Sequence, residues 1–179
     1  MIYTAICGGR DERRDDIKCF TGDGGRMEAK KYKILSHKYI EGTSVWLDGN
    51  IELLIPEEKF IKEFLGDADI GLFKHPYRDC IYYEALADAG RVEELKPQVD
   101  YYRSQGFPKH SGLYECGVLV RRNTEVVNKF NEEWWDEITK WSARDQLSFP
   151  YVLSKYPLKV KVNEGNVRKH KWFKFNPHS

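Results

Sequence analysis

The stretch SVWLDGNIEL, residues 44–53, places an acid, a glycine and an amide between two apolar runs. At the end of a buried strand, the carboxylate of Asp48 and the amide oxygen of Asn50 would offer Mn²⁺ or Mg²⁺ the oxygen ligands that these ions prefer. Gly49 between them would let a diphosphate approach the backbone. The same Asp-Gly pair between alternating apolar residues is also typical of a hairpin turn. The segment alone therefore leaves a metal site and an ordinary turn open.

Length and composition predict one domain spanning residues 1–179. With 41% hydrophobic residues among 179, the chain can bury on the order of 70% of its unfolded surface. No apolar run approaches the length of a membrane span, and residues 1–7 lack the charged start of a signal peptide. We therefore expect a cytoplasmic protein without a membrane span. The four cysteines form no Cys-x-x-Cys pair, which predicts core thiols rather than a disulfide framework or a zinc site.

Positive charge is concentrated near residue 170. Between Lys155 and Phe175 there are seven basic residues and one acidic residue, although the formal net charge of the chain is only +1. This asymmetry indicates an anionic partner, which could be a diphosphate, a nucleic acid or a membrane surface. A solvated basic tail is the other interpretation. Because residues 158–162 already complete a strand pattern, we expect the core to fold without the chain beyond Val162.

Hydrophobic periodicity predicts alternating strands and helices. Apolar residues at three- and four-residue spacing over 124–141, including Trp134, mark the clearest helix and are predicted to be core. Pro97 is predicted to break or kink its helix. Such alternation predicts an α/β fold with a mostly parallel or mixed central sheet, in which ligands gather beyond the carboxyl ends of strands. The predicted strands are 2–7, 43–48, 69–73, 113–120 and 158–162, and the predicted helices are 29–40, 79–89, 92–105, 124–141 and a short one after Pro56.

Five segments stand out along the chain: AKKYKILSH (29–37), SVWLDGN (44–50), KHPYRDCIYYEA (74–85), GLYECGVLVRR (112–122) and SARDQLSF (142–149). In this order they resemble one glycosyltransferase-like domain family that includes plant pectin and mucilage enzymes and small microbial or viral relatives. The resemblance covers about residues 1–155 and implies a GT-A-like nucleotide-diphospho-sugar transferase fold, with a mixed central sheet flanked by helices. The chain departs from the usual Asp-x-Asp motif of such enzymes because Asn50 occupies the position of the second acid.

The resemblance implies transfer of a hexosyl or pentosyl group from a nucleotide-sugar donor, a UDP-sugar, with retention of configuration. The acceptor would be a glycan or another hydroxyl-bearing molecule, with a nucleic acid as one possibility. A divalent cation, Mn²⁺ or Mg²⁺, would stabilise the charge that develops on the diphosphate. An inverting enzyme would need one carboxylate as a base, and Glu115, Asp145 or Asp79 could serve.

The resemblance also implies roles for individual residues. It assigns the metal to Asp48, Asn50 and the histidine of the basic tail, His170. The candidate catalytic residues are Glu115, Asp145 and Gln146, around the donor sugar, with Gly117 beside them. A structural Arg144–Asp145 ion pair is the alternative for Asp145, and His75 is interpreted as a loop or acceptor-side residue. The candidates for the nucleotide are Ala5, Ile6, Cys7, Gly8, Gly9 and Arg10 for the base and ribose, and Lys33, Asp48 and Lys171 for the diphosphate.

Elementary chemistry adds one expectation and two alternatives. A carboxylate inside an apolar strand is costly without a partner, so Glu115 is predicted to face a polar cleft. A nucleotidyltransferase would share the α/β layout and the metal, but the loop after the first strand, GGRDE (8–12), is acidic where such enzymes carry a lysine. A non-catalytic nucleic-acid-binding module would stack bases on Trp172, Phe173 and Phe175. That module would leave Asp48 and Asp145 without a role.

Overall fold

The computed structural model describes residues 1–9 and 11–176 of the chain. Its centre is a six-stranded mixed sheet with the strand order β2-β1-β3-β6-β5-β7. Strand β6 is antiparallel to both of its neighbours, and the other paired strands of this sheet are parallel. The predicted α/β class with a mixed central sheet is therefore confirmed. The strands are β1 (Ile2–Cys7), β2 (Lys18–Gly22), β3 (Ser44–Leu47), β4 (Ile51–Leu53), β5 (Ile70–Lys74), β6 (Tyr114–Arg121), β7 (Val160–Asn163) and β8 (Phe173–Phe175).

Six helices flank this sheet in the part of the chain that the structure describes. The longest, α5, begins after Thr124, whose side-chain oxygen accepts a hydrogen bond from the backbone N–H of Val127. Pro97 lies inside α4 and does not end it, so the predicted break there is wrong. The helices are α1 (Gly25–Ile34), α2 (Glu57–Phe64), α3 (Ile81–Ala87), α4 (Val92–Ser104), α5 (Glu125–Lys140) and α6 (Asp145–Leu153), with single 3-10 turns at Ser36–Lys38 and Val167–Lys169.

Two apolar clusters form the core. The larger one includes Phe130, Trp134 and Phe149, and it packs α5 and α6 together. Trp134 is fully buried, as predicted, and its indole N–H donates to Ser148 Oγ at 3.0 Å. The smaller cluster includes Val45, Leu47, Phe60, Phe64 and Phe173. All four cysteines are free, and Cys7, Cys80 and Cys116 are buried whereas Cys19 is partly exposed.

The segment 48–50 turns the chain out of the central sheet. The N–H of Ile51 donates to the carbonyl of Asp48 at 2.8 Å, which makes a tight turn. Strand β4 that follows pairs with β8, whereas β3 pairs with β1 and β6. The turn therefore does not join two strands of a hairpin. The hairpin interpretation of Asp48-Gly49 is wrong because the two flanking apolar runs belong to different sheets.

The basic tail is part of the folded domain. Val167 and Phe173 are buried in the smaller core cluster, and the ring of Trp172 lies 6.1 Å from that of Phe60. The expectation that the core is complete at Val162 is therefore wrong. The expectation fails because β8 pairs with β4 and packs on α2 through the Phe173 and Phe60 rings. A local strand pattern does not reveal these contacts. None of the helices within residues 1–9 and 11–176 is long and apolar enough to cross a membrane.

Several loops meet at one edge of the sheet. Because β6 is antiparallel to β3 and β5, its amino end lies beside the carboxyl ends of those two strands. The carboxyl ends of β1 and β7 lie at the same edge, since β1 is parallel to β3 and β7 to β5. Asp48, Glu115 and His75 are thus brought to one side of the molecule.

Candidate functional site

A cleft of about 400 Å³ opens at this edge of the sheet. A second cavity of about 250 Å³ continues from it. The two share five lining residues, Arg26, Lys30, Lys33, Asp48 and Arg168, so we treat them as two lobes of one cleft. The first lobe is otherwise lined by residues that include His75–Arg78, Glu84, Glu115–Gly117, Arg144–Gln146 and Asn166, and the second by residues that include Ala5, Asp11, Trp46, Asn50, Ile51 and Phe175.

Asp48 lies at the junction of the two lobes. Its backbone N–H donates to the carbonyl of Gly117 at 2.8 Å, which anchors it to β6. The indole N–H of Trp46 donates to Asp48 Oδ1 at 2.8 Å, and Lys33 Nζ lies 3.5 Å from the same oxygen. A Cβ at position 117 would lie 3.2 Å from Asp48 Oδ2. Gly117 therefore provides the space that the second carboxylate oxygen occupies.

Asp145, at the start of α6, is held by two lysines of α1. Its Oδ2 accepts hydrogen bonds from Lys33 Nζ, at 2.7 Å, and from Lys30 Nζ. Burial alone would raise the pKa of Asp145, but the charges and hydrogen bonds of the two lysines outweigh it and hold that pKa well below its usual range. The residue is only 5% exposed. Asp145 thus has one carboxylate oxygen fully engaged by the two lysines.

Arg144 does not pair with Asp145. Its guanidinium donates instead to Glu84 Oε1, while Arg78 Nε donates to Glu84 Oε2 at 2.5 Å. The alternative of an Arg144–Asp145 ion pair is therefore wrong, because the buried Glu84 takes both arginines. His75 Nδ1 accepts from the N–H groups of Tyr77 and Arg78, so this histidine shapes the loop that forms one wall of the cleft.

Glu115 faces the cleft, as the cost of burying a carboxylate predicts. Its Oε2 is buried without a hydrogen-bond partner among the residues that the structure describes. Burial raises its pKa, and the charge of Asp48 adds to this effect, while the Val167 N–H and Arg168 oppose it. An unpaired buried carboxylate oxygen beside a second carboxylate would be stabilised by a cation.

The predicted metal ligands do not all come together. Asp48 and Asn50 line the second lobe, but the His170 ring packs among Phe73, Trp172 and Phe173 and lines neither lobe. Within residues 1–9 and 11–176, no group of three or more His, Cys, Asp or Glu side chains could hold a metal ion.

The donors that remain nevertheless fit a hard cation. Mg²⁺ is usually held by one or two carboxylates plus substrate phosphates, rather than by a cage of protein ligands. Two such carboxylates are present. Glu115 has an oxygen, Oε2, without a hydrogen-bond partner among the described residues, and Asp48 has an oxygen, Oδ2, for which Gly117 leaves room.

The first strand contributes less to the cleft than predicted. Ala5 lines the second lobe, whereas Ile6, Cys7, Gly8 and Gly9 line neither lobe, and Arg10 lies outside the described residues. Gly8 has a φ of +78°, and a Cβ there would lie 2.9 Å from the Cα of Gly25. The lack of a side chain at Gly8 therefore allows the start of α1 to lie close to the end of β1. Burial, with the nearby Glu28, raises the pKa of the Cys7 thiol to about 11.

Sequence reasoning missed several cleft residues. Gln146 and Lys33 line the cleft as predicted. Lys171 is exposed and lines neither lobe, whereas Arg168 of the same basic tail lines both. Arg26 and Lys30 were not anticipated. The signal was available, because residues 26, 30 and 33 have the spacing of one helix face. It was lost because the predicted helix began at residue 29 rather than at Gly25.

Comparisons with known proteins agree with this architecture. Residues 20–174 match the family described as TOD1/MUCI70, glycosyltransferase-like domain. The chain is 29% identical over 152 residues to the probable hexosyltransferase MUCI70 of Arabidopsis thaliana, covering 76% of this chain and 26% of that protein. It is 28% identical over 148 residues to the alkaline ceramidase TOD1 of Arabidopsis thaliana, covering 73% of this chain and 32% of that protein. The chain thus spans about a quarter to a third of the length of these relatives, and no solved structure matches it.

Proposed function

Because the chain belongs to the TOD1/MUCI70 glycosyltransferase-like domain family, we propose that it transfers a sugar from a nucleotide-sugar donor to a hydroxyl-bearing acceptor. The donor is a UDP-sugar, the transferred group is a hexosyl or pentosyl residue, and its configuration is retained. The acceptor is a glycan or another molecule that carries a free hydroxyl group.

The observation that carries the proposal is the two-lobed cleft with Asp48 at its junction. The second lobe contains the apolar and aromatic side chains of Ala5, Trp46, Ile51 and Phe175, which suit a nucleoside. The first lobe is lined mainly by charged and polar groups, which suit a sugar and its acceptor. A molecule with a nucleoside at one end, a sugar at the other and a diphosphate between them matches this division.

Asp48 and Glu115 are the residues that would hold a divalent cation, Mn²⁺ or Mg²⁺. When bound, the cation supplies Lewis-acid stabilisation of negative charge on the diphosphate oxygens. Gln146 and the second carboxylate oxygen of Asp145, to which the two lysines do not bond, would remain for the sugar. These two residues would orient its hydroxyl groups by hydrogen bonds, which restricts the anomeric carbon to a reactive position.

In the reaction, the hydroxyl oxygen of the acceptor bonds to the anomeric carbon, and the bond from that carbon to the diphosphate oxygen breaks. The electron pair of the broken bond stays on the diphosphate, which also takes up the proton of the acceptor hydroxyl group. Neither Asp145 nor Asp79 suits the role of a base. The first is ion-paired with two lysines, and the second pairs with His110 on the surface. Glu115 alone remains of the three carboxylates considered for an inverting mechanism.

The other candidate functions fit the cleft less well. The name of one relative, alkaline ceramidase, indicates a lipid substrate, but charged side chains dominate both walls of the first lobe. A nucleic-acid-binding tail would need exposed rings. Phe173 is instead buried against Phe60, and Trp172 packs on the same ring.

A panel of nucleotide sugars, tested by thermal shift with and without Mn²⁺, examines the proposal. The correct donor should stabilise the protein by roughly 2.7 kcal/mol at a hundredfold excess over its dissociation constant. Donors that stabilise it are then assayed for release of UDP, and the anomer of the product is read by NMR. A folded protein that binds no nucleotide sugar under either condition contradicts the proposal.

A further inference from the structure

Helix α1 presents three cations to the cleft. Arg26, Lys30 and Lys33 are separated by four and three residues, so they lie on one face of the helix. All three line both lobes of the cleft. Lys31, the neighbouring basic residue, is exposed and lines neither lobe. The helix therefore carries a cationic face toward the junction of the two lobes.

The acids beneath this face neutralise it only in part. Asp145 Oδ2 accepts hydrogen bonds from both Lys30 and Lys33, so one carboxylate serves two ammonium groups. Lys33 has a second acid, Asp48 Oδ1, at 3.5 Å. The positive charge of Lys33, which is 2% exposed, is therefore balanced by two carboxylates. Lys30 only shares Asp145 with Lys33, so its charge is balanced in part.

The electrostatics of Lys30 agree with this assignment. Burial lowers its pKa, and the positive charge of Lys33 adds to the effect, so that the attraction of Asp145 does not restore the usual value. An anion in the cleft would supply the countercharge that Lys30 lacks.

Arg168 adds a fourth cation from a different element. It belongs to the 3-10 turn Val167–Lys169 and also lines both lobes. Its guanidinium carbon lies 4.9 Å from the centroid of the Phe175 ring. Packing on a ring face occupies the flat side of a guanidinium and leaves its N–H donors, which lie in its plane, for other partners.

We propose that Arg26, Lys30 and Lys33 of α1, together with Arg168, form the subsite for the diphosphate of the donor. Asp145 is a positioning residue in this subsite and acts through Lys30 and Lys33. The inference rests on the proposed function for the identity of the ligand. It goes beyond that function because it names the positive side chains that would hold the diphosphate. These side chains, on one face of α1, would act in addition to any bound cation.

Calorimetric titration with UDP, uridine and inorganic pyrophosphate tests the subsite. The variants are Arg26→Gln, Lys30→Gln and, as a matched control on the same helix, Lys31→Gln. Each charge-assisted hydrogen bond that is lost should weaken UDP and pyrophosphate binding by roughly 10- to 100-fold. Uridine should bind all variants as it binds wild type, and Lys31→Gln should match wild type with every probe. The titrations are run with EDTA and again with Mn²⁺.

The outcomes separate the subsite from the proposed function. UDP and pyrophosphate binding that is unchanged in Arg26→Gln and Lys30→Gln overturns the subsite and leaves the proposed function standing. Pyrophosphate binding that Lys30→Gln weakens, in a protein that binds no nucleotide sugar, supports the anion subsite and overturns the proposed function. Absence of binding to all three probes in folded wild type overturns both.

The positioning role of Asp145 needs its own comparison. Asp145→Asn should weaken UDP while leaving uridine unchanged, and Asp145→Glu should restore part of the UDP affinity because it returns a carboxylate to the lysines. Equal weakening of UDP and uridine in Asp145→Asn overturns the positioning role. Should Asp145→Asn not fold, the same test is read from Asp145→Glu, whose UDP affinity must then fall relative to wild type with uridine unaffected.

Discussion

Lys33 Nζ lies 2.7 Å from Asp145 Oδ2, although the two residues are 112 positions apart in the chain. This contact joins helix α1 to the start of helix α6 beneath the cleft. Both side chains are nearly excluded from solvent. The ion pair is therefore a structural element of the cleft floor as well as a part of its electrostatics.

Replacing Asp145 by asparagine should destabilise the protein strongly. The substitution leaves Lys33 buried with only the more distant Asp48, and breaking a buried ion pair by removing one partner typically costs about 3–5 kcal/mol. Urea unfolding measures this cost. Asp136→Asn, at an exposed site, is the control and should change the free energy of unfolding by less than about 0.5 kcal/mol. A change in Asp145→Asn as small as that of the control would contradict the packing described.

The stability of the wild type should fall as the solution is made acidic. Because the lysines lower the pKa of Asp145 in the folded state, its contribution is complete above the unfolded value of about 3.9. That contribution is lost as the pH falls from there toward the lower folded value. Urea unfolding between about pH 2 and pH 6 should therefore give a shallower acid limb, the fall in stability below about pH 4, for Asp145→Asn than for wild type. Parallel limbs would show that Asp145 does not titrate differently in the two states.

Metal affinity should depend on Asp48 and not on His170. The His170 ring is packed among aromatic side chains away from the cleft, whereas Asp48 lies at its junction. In Mn²⁺ titrations with UDP present, Asp48→Asn should weaken the metal by at least about tenfold, as expected for loss of a charged ligand. His170→Ala should leave metal affinity near that of wild type. If His170→Ala weakened Mn²⁺ as much as Asp48→Asn, the original assignment of His170 as a ligand would be restored.

Phe173 should be essential for stability. Its ring is buried against Phe60 and Phe73, and truncation of such a side chain to alanine costs about 3–5 kcal/mol. Lys174→Ala, on the exposed side of the same strand, is the matched control. A chain that stops after Val162 should melt well below the full protein. Equal melting temperatures for the shortened and full proteins would mean that β8 does not support the second core cluster.

The sequence revealed the parts of the site that depend on local patterns. Apolar runs ending at Leu47 and beginning near Tyr114 fixed the strands, and their ends brought Asp48 and Glu115 to one edge. Both strand signals lie within about ten residues, a range over which periodicity can be read. Asp145 and Gln146 came instead from the resemblance to the family, which rests on motifs spread over about residues 1–155.

Contacts between distant segments were not predictable in the same way. No pattern near Lys33 indicates that its partner is Asp145, and nothing near Arg144 indicates Glu84. Strand β8 has only three residues, too few for alternation to distinguish it from a loop. The placement of His170 failed for that reason. A histidine in a basic tail suggested a ligand, but the sequence did not indicate that the neighbouring Trp172 and Phe173 join the distant Phe73 of β5 around its ring.

The pairing of β4 with β8 sets an order of events during synthesis. Residue 51 pairs with residue 175, so the strand that follows the Asp48 turn gains its partner from a segment translated long after it. Pairing across so long a loop is slow relative to the formation of local helices. In a nascent chain that ends before residue 173, we expect α1 to be folded while β4 is still unpaired. The second lobe of the cleft, which Ile51 and Phe175 line, would then be the last part of the cleft to be completed.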